Sequence, residues 1–242
     1  MAVLEPLTAD YHSTLGAMAR VATHVLARRR YACSGRFGLR SAPGAIATPM
    51  FGDDETLRLS SRYLLRERRV GDAMTTSALP TAGATLRDLA DFADCDLTVD
   101  FAVGHDTPAL GEPDAPLNLG PNNVALVATW FAAVAAALDE VIGVSATDSA
   151  SAVQLWPEHF DLAVDLAAGS GRANLGASPG DSFSEEPYVY VGPWDPRRPG
   201  DPTYWNVGFG AMVRYEEIRA ADKPLDAIVA FFTRGLALLS AD

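Results

Sequence analysis

The stretch Trp156-Pro157-Glu158-His159-Phe160-Asp161-Leu162-Ala163-Val164-Asp165-Leu166 decides how the rest of the chain is read. Phe160, Leu162, Val164 and Leu166 alternate with His159, Asp161, Ala163 and Asp165, and a period of two is the signature of a strand. Apolar on one face and polar on the other describes a strand whose sheet has one dry and one wet side, the usual state of antiparallel sheets. The spacing therefore predicts a strand over 160–166 in an antiparallel sheet.

Working outward, Gly169-Ser170-Gly171 to Gly180 reads as a glycine-rich hairpin loop, Tyr188 to Val191 as a strand and Val207 to Tyr215 as another. A closing helix starts near Asp222-Lys223-Pro224, where proline suits the first turn, and carries the stripe Leu225, Ile228, Val229, Phe232, Leu236 and Leu239. Towards the N-terminus, Val124 to Leu138 lies in a long apolar helix expected over 122–142, entered by Gly120-Pro121 and closed by Gly143. Before it come a strand over 97–103, a short helix over 85–93, and a meander with strands over 36–40 and 56–65 and a turn at Ser41-Ala42-Pro43-Gly44. The first element is a helix over 8–29 with Leu15, Met18, Ala22, Val25 and Leu26 on one stripe. Strands bunched before helices predict an α+β fold of antiparallel sheets with two or three long packing helices, in a strands-then-helix rhythm that occurs twice. The expectation is one compact domain over 1–242, with halves 1–145 and 150–242 packed together around a small, polar join at 144–151.

The composition narrows the function classes. A net charge of −12 in 242 residues, with pI near 4.7, argues against binding a phosphate backbone, which needs a basic surface. Arg58, Arg62, Arg66, Arg68 and Arg69 form a local basic run, read as a strand edge blunted by charge. Cys33 and Cys95 have no CxxC spacing and fit a reducing compartment. The first ten residues lack the features of a signal peptide, and the 124–138 run is too short to span a bilayer, so a cytoplasmic location without membrane partners is expected. No cofactor or metal identity follows from the residues.

Several motifs bear on chemistry. Gly176-Ala177-Ser178-Pro179-Gly180 matches G-x-S-x-G, but Pro179 has no N–H for an oxyanion and every histidine precedes Ser178, so it reads as a turn. His159, Glu158 and Asp161 are the candidate acid–base or metal-binding residues, because an imidazole and two carboxylates, Asp161 and Asp165, on one strand face can hold a divalent cation or run acid–base chemistry. His105-Asp106 lies in a proline-rich loop and reads as an exposed pair, while His12 and His24 are too far apart along a helix to share a metal. The aromatic residues Trp156, Trp194 and Trp205 flank predicted turns together with Asp181 and Asn206, as walls and orienting groups of a small-molecule pocket. Two functions stay open: a ligand-binding protein or enzyme with a polar, tryptophan-lined cleft in the C-terminal half, and a non-catalytic interaction protein, including a homo-oligomer, that uses exposed aromatics.

Leu155-Trp156-Pro157-Glu158-His159-Phe160-Asp161-Leu162-Ala163, then Gly176 to Asp181, then Pro187-Tyr188-Val189-Tyr190-Val191-Gly192-Pro193-Trp194 resembles a family of mainly actinobacterial proteins of unassigned activity. Trp205-Asn206, Phe209-Gly210-Ala211 and the span from Ala42-Pro43-Gly44 to Thr48-Pro49 are similar to further blocks of that family, whereas Gly44-Ala45-Ile46-Ala47 departs from its more Gly/Phe-rich loop. The resemblance implies no activity; it draws the distinctive residues to the segments already singled out.

Overall fold

The alternation at Leu162–Leu166 builds strand β7 (Asp161–Ala168), which pairs antiparallel with β8 (Gly171–Ser178) in a computed structural model of the protein. The structure describes residues 4–52, 54–102, 107–145 and 149–241, the side chain of Ser145 excepted. Leu162, Val164 and Leu166 on one strand and Ala173, Leu175 and Ala177 on the next are at most 1% exposed. Burying each leucine or valine among them contributes about 1.5–3 kcal/mol, which pins the register because a one-residue slip would turn all of them outward. Outward from β8 lie β9 (Tyr188–Pro193) and β10 (Ala211–Arg214), and β6 (Gln154–Trp156) completes the five-stranded order β10-β9-β8-β7-β6.

The other sheet is a meander in sequence order: β1 (Arg40–Ala42), β2 (Ala45–Ala47), β3 (Thr56–Ser60), β4 (Tyr63–Val70) and β5 (Ala73–Pro80), all antiparallel. The expected turn sits between β1 and β2, with Gly44 at φ 63. The fold is thus α+β with two antiparallel five-stranded sheets. The helices are α1 (Tyr11–Val21), which continues through a π-helical segment (Ala22–Ala27) into α2 (Arg28–Ser34), then α3 (Leu86–Phe92), α4 (Pro121–Ser145), α5 (Tyr215–Arg219) and α6 (Pro224–Leu239). Thr85 and Asp88 cap α3 reciprocally in a capping box. Each meander is followed by helices, as the twofold rhythm predicts.

Four sequence expectations are corrected. The strand expected over 97–103 is irregular where it is described: Val99 is 60% exposed, and Phe101 packs on Tyr31 and the Arg28 guanidinium, not in a sheet. The strand expected over 56–65 is two strands joined at Ser61-Arg62. Most of the glycine-rich "loop" is β8, an interior strand, so only Gly169-Ser170 turn the hairpin. The Arg58–Arg69 run lies on the interior strands β3 and β4, not on an edge, and Arg66 pairs at 3.1 Å with Glu55 and 2.6 Å with Asp94. His105-Asp106 and part of the expected join at 144–151 fall outside the described residues.

The chain divides into two interleaved compact units. One comprises 1–6, 130–154 and 161–242; the other comprises 7–129 and 155–160. A unit boundary falls within α4, between Thr129 and Trp130. This helix is longer than the apolar run implied: residues 121–144 have the length to cross a bilayer, and an 18-residue window within them has mean hydropathy 1.8 and is half buried within the fold. In the first unit, Trp130 donates from Nε1 to the Ser178 carbonyl at 3.1 Å and meets Tyr215 edge-on. In the second, the fully buried Met18, Val21, Val25 and Leu26 form the helix stripe. The same helix holds a ladder four residues apart: Arg20 donates to the Leu110 and Glu112 carbonyls, His24 to Pro108, and Arg28 to Asp96 and Val99.

Candidate functional site

Strand pairing in the first unit sets out the wet face of its sheet. Tyr190 lies opposite Gly176, which lies opposite Ala163, so the phenol of β9 can cross β8 and reach β7. It does so because Gly176 has no side chain: a Cβ there would stand 2.7 Å from the phenol oxygen. The Tyr190 hydroxyl donates to Asp161 Oδ2 at 2.5 Å, and its neighbour Tyr188 donates to Asp181 Oδ2 at 2.7 Å. Asp181 also accepts the backbone N–H groups of Phe183 and Ser184, which fixes the turn before β9. Burial, with the adjacent carboxylates, raises both phenol pKa values far above their ordinary value. A phenol held protonated beside a carboxylate is a donor and not a base. Asp161 and Asp181 are therefore brought together as acceptors in a hydrogen-bonded tyrosine cluster, with Phe183 and Phe209 edge-on at its exposed rim.

Further along the same strands a cavity of about 300 Å³ opens between the β7–β8 turn, the loop after β9 and the end of α6. Its lining includes Ser170, Arg172, Asp195, Arg197, Arg198 and Leu239. Two glycines flank it: a Cβ on Gly169 would strike the Leu239 carbonyl, and one on Gly200 would press on the end of the Leu238 side chain. Both have positive φ, 57 and 75, a backbone that favours glycine.

The charges on the cavity wall are unequal. Arg172 pairs diagonally across the strands with Asp165 at 2.6 Å, a hydrogen bond that raises the arginine pKa, and Arg197 pairs with Asp195 at 3.0 Å. Arg198 differs. It donates to the backbone oxygens of Asp195, Arg197 and Phe209, which orient it, and it pairs with no carboxylate directly among the described residues, although its charge helps to lower the Asp195 pKa. Two indoles back these guanidinium groups: Trp194 lies under Arg172 and Trp205 under Arg198, each with 5.8 Å from the guanidinium carbon to the ring centroid. The indole N–H groups are anchored, Trp194 to Asn174 at 3.1 Å and Trp205 to the Pro199 carbonyl at 2.8 Å.

The residues singled out in the sequence thus separate. Trp194 and Trp205 come to one cavity through the arginines they support. Asn206 forms a two-bond clamp on the backbone of Met212, with both distances 2.9 Å. Trp156, Glu158 and His159 belong to the other unit. There Trp156 packs on Phe37, and His159 is exposed in a turn ahead of β7 instead of on the strand, because the strand begins only at Asp161. Phe160 at φ 51 breaks the alternation at that point. Glu158 is 8% exposed, and burial raises its carboxyl pKa, opposed by its own backbone and His159. Ser178 is 2% exposed, and its hydroxyl accepts the Gly180 N–H, which completes the expected turn. Among the described residues, no three His, Cys, Asp or Glu side chains are grouped to hold a metal ion.

Sequence reasoning missed Arg172, Arg197, Arg198 and Ser170. Arg172 stood in what read as a loop, and arginines in an ordinary loop carry no spacing signal; only the β8 register brings them together. Comparison with protein-family models, with curated proteins and with solved structures finds no match for the chain.

Proposed function

We propose that this protein binds a small anionic molecule, a carboxylate or phosphate ester with a compact apolar body, in the arginine-walled cavity beside Trp194 and Trp205. The observation that carries the reading is Arg198: a guanidinium on the wall of a 300 Å³ cavity, held by three carbonyl oxygens and by no carboxylate among the described residues. A charge oriented by neutral acceptors keeps its attraction for an incoming anion and needs no ion pair broken first. Three arginines against one aspartate in the lining favour a negative ligand in a chain that is otherwise strongly acidic. The cavity is at the small end of ligand sites, which suits a metabolite. Its ligand sits in the polar, tryptophan-flanked cleft expected of the C-terminal half, with arginines in place of a histidine and carboxylates as the polar groups. The acidic surface and two free cysteines are consistent with a cytoplasmic protein.

Titration calorimetry with a panel of di- and tricarboxylates and phosphate monoesters tests this. The expected result is saturable binding by at least one class, weakened by added salt and lost in Arg198→Gln at unchanged melting temperature. Absence of saturable binding by every anion, or equal affinity in Arg198→Gln, would overturn it.

A further inference from the structure

The arginine-walled cavity is not matched to every anion alike. Its lining holds Arg172, Arg197 and Arg198 with Asp195, and Asp165 backs Arg172. Three guanidinium groups against two carboxylates leave one positive charge among the described residues of the wall. Both carboxylates are committed to neighbours. Asp165 Oδ2 accepts from Nε and Nη2 of Arg172 at 2.8 Å and 2.6 Å. Asp195 Oδ1 accepts the backbone N–H of Arg197 at 2.8 Å and its Nε at 3.0 Å. Those hydrogen bonds, with the charges of Arg197 and Arg198, hold the Asp195 carboxyl below its ordinary pKa, so it is ionised at neutral pH.

The unmatched charge is that of Arg198, and three of its donors are already taken. A guanidinium has five N–H groups. Both on Nη1 go to backbone oxygens, of Asp195 at 2.6 Å and Arg197 at 2.9 Å, and one on Nη2 goes to that of Phe209 at 3.1 Å. One N–H on Nε and one on Nη2 carry no hydrogen bond among the described residues. Two donors on adjacent nitrogens, with one net charge, suit the two oxygens of a single carboxylate. Ala168, Pro193, Pro199 and Leu239 make another part of the lining apolar.

We propose that the cavity selects a monocarboxylate with a compact aliphatic or single-ring body, and that Asp165 and Asp195 set this preference by leaving only one positive charge to be matched. The assignment rests on the reading of the cavity as an anion site. A dicarboxylate, or a phosphate monoester carrying about −1.5 to −2 at neutral pH, brings a second charge that finds no counter-charge and lies beside two carboxylates. The chain's net charge of −12 also repels a dianion more strongly than a monoanion. Dianions therefore enter the same cavity but bind more weakly than a monocarboxylate of the same body.

Titration calorimetry at neutral pH and fixed ionic strength tests this with matched ligands. Isovalerate, isopropylmalonate and isobutyl phosphate share one branched body; benzoate, phthalate and phenyl phosphate share one ring. In the better-bound set, the wild type should hold the monocarboxylate about tenfold tighter than either dianion. Asp195→Asn keeps an oxygen for both Arg197 hydrogen bonds and removes one negative charge, and Asp165→Asn does the same beside Arg172. Each variant should strengthen the dianions about tenfold and the monocarboxylate only about threefold, since the gain scales with ligand charge. Circular dichroism and melting temperature check that the variants fold. A wild type that holds a dianion as tightly as its matched monocarboxylate, or a folded variant in which the gap does not narrow, would overturn the assignment and leave the anion site standing. A wild type that binds none of the six would remove both.

Discussion

Gly176→Ala is the smallest change that should disrupt the wet face of the β7–β10 sheet. A Cβ at this position would lie 2.6 Å from the Leu162 carbonyl oxygen and 2.7 Å from the Tyr190 hydroxyl. The carbonyl belongs to the paired strand and cannot retreat without opening the β7–β8 ladder, so the phenol must swing away and release Asp161. Overpacking costs about 1–3 kcal/mol, and a lost hydrogen bond to a charged group adds about 1.5–3 kcal/mol. The two overlap, because moving the ring relieves part of the clash, so a net loss of about 2–4 kcal/mol is expected. For a chain of this size that lowers the melting temperature by roughly 10 °C. Thermal and urea unfolding should be compared with Gly16→Ala on α1, where a Cβ meets nothing within 4 Å and alanine should stabilise by about 0.5–1 kcal/mol. Removing the ring with Tyr190→Ala in the Gly176→Ala background should recover part of the loss. If Gly176→Ala proved as stable as the wild type, the account of a phenol threaded over the glycine would be refuted.

Burial, with Arg28 and Arg20 alongside, lowers the His24 pKa, so the unfolded chain takes up a proton that the folded one refuses. Stability should be complete above about pH 6.5 and fall as the pH drops below it, and His24→Gln should flatten that slope in urea midpoints measured on either side. Glu158 behaves oppositely: its raised pKa makes the folded state lose ground as the pH climbs past 4.5, so Glu158→Gln should out-melt the wild type at neutral pH and match it in acid. Glu55 pairs with Arg29 at 2.9 Å and Arg66 at 3.1 Å, with side-chain exposures of only 9% and 7% for Glu55 and Arg66. Glu55→Ala leaves Asp94 as the remaining carboxylate partner of both arginines, so it should cost at most about 3–5 kcal/mol in chemical denaturation.

Where a residue's partners are local, the sequence showed its role. The alternation of β7, the proline–glycine turn at Pro43-Gly44 and the apolar stripe of α1 all appear as expected, since each follows from neighbours within a few positions. Strand β8 escaped notice because its Gly176 does non-local work, letting Tyr190 of the neighbouring strand cross to Asp161 two strands away. Strand β5 was missed because exposure on both faces erases any period. Leu97, Val99 and Phe101 mimicked a strand, yet Phe101 serves as a seat for Arg28, a contact no spacing reveals. The candidate site was legible in its indoles and not in its arginines. Tryptophan beside turns is conspicuous, whereas Arg172 and Arg198 become neighbours only after three strands are in register.

The interleaving of the two units bears on how the chain is made. Leu39 exchanges backbone hydrogen bonds of 2.8 and 2.9 Å with Leu155, and Thr23 donates to the Pro157 carbonyl, all within the unit that begins at residue 7. On the ribosome, those early groups emerge more than a hundred residues ahead of their partners. The N-terminal meander must wait unfinished through the synthesis of α3 and α4, so vectorial folding cannot seal this unit until the Trp156-Pro157 segment arrives. A cut between the apparent halves would leave the first permanently short of its last piece.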